Sequence, residues 1–78
     1  MALIRNIPKT WTTVGPTAAD ELWQCRGGEV LLTLEAVTDD MQGTLMRKDQ
    51  PHPVIPAGKT VRYRRLGLGA TINREVIG

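Results

Sequence analysis

Cys25 and His52 are the chain's one thiol and one imidazole. Those residue types suit a thiolate nucleophile and the base that takes its proton. Serine is absent, which leaves threonine as the other nucleophile to consider. Position argues against the dyad. Cys25 falls on the apolar side of a strand-like run, where a thiol behaves as a small hydrophobe, and His52 lies between two prolines. No catalytic residue and no enzyme activity are expected.

Asp39-Asp40 are paired carboxylates, but no calcium-loop spacing surrounds them and they read as a solvated turn. One cysteine and one histidine cannot build a zinc cluster or an intrachain disulfide, so neither a metal nor a cofactor is expected. Gly67-Leu68-Gly69-Ala70 resembles a fragment of a phosphate loop. It lacks the parallel strand–helix context and the Gly-Lys-Ser/Thr ending, so a turn is the better reading.

The pattern that remains is basic. Arg62, Arg64, Arg65 and Arg74 fall on two late strand-like runs around Tyr63, with Lys59 and Arg47 to consider beside them. Basic and aromatic residues on one sheet are how single-strand binders join phosphate attraction to base stacking. Alternation, however, points Tyr63 away from Arg62 and Arg64. A solvated or subunit-facing sheet face is preferred, with an acidic protein surface and then nucleic acid behind it. Trp and Arg dominate interface hot spots. Trp11, Arg62, Arg64 and Arg74 are therefore the candidate contact residues.

These residues need a scaffold, and the chain of 78 residues allows one domain. A chain this short buries only about 60–65% of its unfolded surface, which favours oligomerisation as a further aid. The net charge of +2 does not by itself call for nucleic acid. The longest nearly apolar run, Val30–Leu34, is far below the ~20 residues of a membrane helix. Arg5 and Lys9 precede no apolar segment, so no secretory signal is expected.

Glycine and proline recur too often for long helices, and 16–25 is a weak helix candidate. Strands are expected over 21–26, 29–36, 59–66 and 69–77, with a short one in 43–47. Gly27-Gly28 reads as a two-residue hairpin that pairs Arg26 with Glu29, Cys25 with Val30 and Trp23 with Leu32. Gly67-Leu68 reads as a second, pairing Arg65 with Ala70, Tyr63 with Ile72 and Val61 with Arg74. That register sets Asn73 opposite Arg62, with Glu75 diagonal to it. Pro56-Ala57-Gly58 is a tight turn, and 48–58 an extended surface segment. Residues 1–9 read as an N-terminal arm to a single domain over 1–78. The fold expected is all-β, a small antiparallel sandwich or barrel of about six strands.

Trp11-Thr12, Gly27-Gly28, EVLLTLEA (29–36), IPAGKTVRYRR (55–65) and GATINREV (69–76) follow one another in an order that resembles small β-sandwich virion proteins of tailed bacteriophages and gene-transfer particles. The resemblance spans most of the chain from Trp11. It implies a structural virion subunit, a capsid decoration or a connector or tail-associated protein, assembled in the host cytoplasm. Its partners would be copies of itself, as a trimer, and a capsid or tail protein surface. The arginine-rich strand at 59–66 departs from that pattern, where a more neutral strand is expected. The alternative is a small nucleic-acid-binding barrel of OB or SH3-like type; no membrane partner is expected.

Overall fold

Alternation of apolar and polar residues along each run decides which side chains turn inward. The computed structural model describes residues 2–50 and 52–77. Its strands are Ala2–Ile4 (β1), Thr12–Val14 (β2), Glu21–Gly27 (β3), Glu29–Thr33 (β4), Thr44–Arg47 (β5), Val54–Ile55 (β6), Val61–Arg65 (β7) and Thr71–Val76 (β8). They form two antiparallel four-stranded sheets, ordered β1-β8-β3-β6 and β2-β7-β4-β5. The fold is a small β-sandwich. The strands absent from the sequence reading, β1, β2 and β6, have two or three residues each, too short for alternation to register.

The first sheet contributes Trp23, Cys25, Ile55 and Ile72 to the core, and the second Val30, Leu32, Met46, Val61 and Tyr63. Trp23 and Tyr63 meet edge to face across the sandwich, centroids 5.5 Å apart. Ile7 joins them, 2% exposed. The N-terminal segment is thus no separate arm, since β1 pairs with β8 and the Pro8 carbonyl accepts from the Arg65 amide.

Both expected hairpins are corners between sheets. β3 pairs with β8 and β6, while β4 pairs with β5 and β7. Cys25 therefore lies beside Ile72, not Val30, and Tyr63 beside Leu32 and Thr12, not Ile72. Glu29 takes Arg47 as its ion partner at 2.7 Å, not Arg26. Arg62 is flanked by Thr13 and Thr33, not by Asn73 and Glu75. The cause is general: two apolar faces joined by a short glycine link can lie side by side or face to face, and the sandwich chooses the second. Arg26 is bulged out of the β3 ladder where the chain begins to turn, and Gly28 takes φ +72°. A Cβ on Gly28 would stand 2.0 Å from the Gly69 carbonyl oxygen, so the two glycine corners are stacked on each other.

β4 ends earlier than the apolar run suggests. The Thr33 hydroxyl accepts from the Glu35 amide at 3.2 Å, and Leu34 and Ala36 are exposed. At this same end of the sandwich, away from the glycine corners, buried Thr17 ties the 15–20 loop to the Ala57–Gly58 turn. Its hydroxyl donates to the Pro56 carbonyl at 2.8 Å, and its carbonyl accepts from the Gly58 amide at 2.7 Å.

Candidate protein-contact surface

Val61 and Tyr63 point inward on β7, so Arg62 and Arg64 project from the outer face of the second sheet. The 34–43 loop between β4 and β5 folds back toward that face. Arg62 donates to the Glu35 carbonyl at 3.2 Å. Arg64 donates through Nε to the Asp40 carbonyl at 2.7 Å and contacts the Met41 sulfur at 3.3 Å. Its guanidinium lies 5.7 Å from the Trp11 ring centroid, a cation–π arrangement. One arginine thus links the segment before β2, the 34–43 loop and its own strand.

The loop holds its own shape. Asp39 accepts the Met41 amide at 2.8 Å, and Gln42 accepts from the Thr38 amide and donates to the Ala36 carbonyl. Met41 is left 64% exposed beside Arg64, and Leu45 is 37% exposed across β4. Between Leu45 and Arg64, Leu31 faces outward on β4 yet is only 4% exposed. Met41 escaped the sequence reading because nothing in 37–42 foretells which strand the loop will cover.

Arg74 is placed differently from the other candidates. It faces inward beside Trp23, with its guanidinium 5.0 Å from that ring's centroid. It pairs with the buried Glu21 carboxylate at 2.9 Å, through two guanidinium nitrogens. Glu21 also accepts the Trp23 Nε1–H at 3.1 Å. Arg74 is a structural element of the first sheet, on a different side of the molecule from Trp11, Arg62 and Arg64, which the fold does bring to one face.

Cys25 and His52 are not brought together. Cys25 is 1% exposed in the core, whereas His52 contacts Gln24, whose side chain leaves the opposite face of β3. Burial raises the Cys25 thiol above its ordinary 9.0 and the Tyr63 phenol above 10.0. A raised thiol is the opposite of an activated one. Among the described residues, no three His, Cys, Asp or Glu side chains are grouped to hold a metal.

What the surface offers is a fixed set of side chains suited to contact: an indole, two guanidiniums held by carbonyls, and an exposed thioether. The loop turns the backbone carbonyls of Glu35 and Asp40 onto the arginines, which takes up part of their donor capacity. No family model matches the chain, nor does any curated protein or solved structure.

Proposed function

We propose that this chain is a structural virion subunit of the tailed-phage kind, a capsid decoration or a connector or tail-associated protein, that works by protein–protein contact. It acts as a homo-oligomer, with a trimer preferred, seated on a capsid or tail surface. The observation that carries this reading is the Trp11–Arg64–Met41 cluster on the outer face of the second sheet. Tryptophan and arginine are the side chains that most often anchor interfaces. An arginine already held by carbonyls loses less freedom when it docks.

The rival reading, a small nucleic-acid-binding barrel, draws on the same guanidiniums. Its difficulty is local. The backbone carbonyls of Glu35 and Asp40 already occupy donors of Arg62 and Arg64, which leaves fewer for a phosphate. Tyr63, the one aromatic residue on that strand, is 4% exposed in the core and offers no stacking surface.

A titration with single-stranded oligonucleotide across a salt series separates the two readings, run beside chemical cross-linking of the protein alone. The expected result is a cross-linked ladder that stops at a defined small oligomer, with no salt-steep oligonucleotide affinity. A monomer whose oligonucleotide affinity falls steeply with salt would overturn the proposal.

A further inference from the structure

At the corner end of the sandwich, the 5–8 segment and the β7–β8 link enclose an open cleft of about 540 Å³. Arg5 and Arg65 both line it, and no carboxylate does. Neither arginine has an ion-pair partner among the described residues. The Gly67–Ala70 run that resembles a phosphate loop contributes Leu68, Gly69 and Ala70 to its wall.

We propose that this cleft receives a carboxylate-bearing segment of a partner protein. The inference rests on the reading that the chain works by protein contact, but it concerns a second surface. Two like charges facing one cavity favour an anion between them, and the guanidinium fork matches a carboxylate bidentately. The walls are set in advance. The Arg65 guanidinium donates to the Gly67 carbonyl, and the Arg65 amide is held by Pro8. Asn6 takes a left-handed φ of 57° between Arg5 and the core-anchored Ile7. The 66–70 link is braced from below by the Gly28 corner. A preformed site binds with less ordering cost.

The lining favours a peptide over nucleic acid. It holds no aromatic ring on which a base would stack. It does hold Leu68, the most exposed large apolar residue described, at 100%. A leucine on the rim of a basic cleft suits an acidic segment that carries an apolar side chain beside its carboxylates.

Fluorescence anisotropy with a labelled peptide of alternating glutamate and leucine tests this, set against the matching lysine–leucine peptide and oligothymidylate. The acidic peptide is expected to bind and the lysine peptide not to. Arg5→Glu should weaken acidic-peptide binding about fivefold or more, and Leu68→Ala about twofold to threefold. Both substitutions change exposed positions, so the circular dichroism of the sandwich should not move. Inorganic phosphate should compete, since it shares the anion chemistry. No binding of the acidic peptide, an affinity unchanged by Arg5→Glu, or oligothymidylate binding as tight as the peptide would each overturn the proposal. Arg5→Glu should leave the oligomeric mass intact. A chain that stays monomeric yet binds the acidic peptide, with that binding weakened by Arg5→Glu, would instead count against the outer-face reading alone.

Discussion

Arg74 shows how much a single position can reveal and conceal. Alternation correctly puts it on the inner face with Ile72, yet an arginine there reads from composition as an interface residue. The missing information is its partner. Glu21 lies 53 positions away in sequence and accepts from both Arg74 and Trp23. Removing one member leaves the other charge poorly solvated. Arg74→Met should cost about 2–4 kcal/mol in urea denaturation, and adding Glu21→Gln should restore part of the loss. Strict additivity of the two substitutions would contradict the coupling. Cys25 and Tyr63 supply a pH dependence. Both ionise to anions and both have raised folded values, so the unfolded chain releases its protons first. Their contribution is full below about pH 9 and is lost as pH rises through the folded values. The urea midpoint should hold from about pH 7 to about pH 9 and fall above it, less steeply in Cys25→Ala. Native Cys25 should also react with a thiol reagent more slowly than a free thiol, and fast labelling would contradict its burial.

At the scale of elements, the inward residues were legible and the pairing was not. Trp23, Cys25, Val30, Leu32, Val61, Tyr63 and Ile72 are all in the core, as period-two alternation leads one to expect. The turns misled because Gly27-Gly28 and Gly67-Leu68 have hairpin composition while serving as corners. Among the described residues, β4 and β5 are the one pair of consecutive strands that are also hydrogen-bonded neighbours; every other connection crosses between sheets. The stacked corners can be tested by adding one carbon. Gly28→Ala drives a methyl into the Gly69 carbonyl at positive φ and should cost at least about 3 kcal/mol. Gly58→Ala also meets positive φ, +81°, but in open space, and should cost only about 1–2 kcal/mol. Equal thermal shifts for the two variants would show that the corners do not touch. Trp11, Arg62 and Arg64, each half-buried, share the outer face of the second sheet. The 34–43 loop that completes their surface was not legible in the sequence, because its placement depends on tertiary bonds such as that from Arg64 to Asp40.

At the scale of the whole molecule, the chain closes its own core. Its Cα radius of gyration, 11.4 Å, matches the about 11.5 Å expected of a compact domain this size. Self-association therefore has no shared core to complete and would draw on outer surfaces. The edge strands β1, β2, β5 and β6 have two to four residues, which blunts edge-to-edge pairing and shifts weight to the sheet faces. The outer face around Trp11 and Arg64, with Met41 and Leu45 exposed on it, is the one proposed for contact with like subunits. Arg62 makes a single bond to the loop, so reversing its charge perturbs that face with little effect on the fold. Light scattering over a concentration series, comparing the wild-type chain with Trp11→Ala and Arg62→Glu, tests this most directly. The expected result is a defined small oligomer, with three subunits preferred, that shifts toward monomer in both variants while circular dichroism stays constant. A wild-type chain that remains monomeric at every concentration, or an oligomer that neither substitution disturbs, would contradict it.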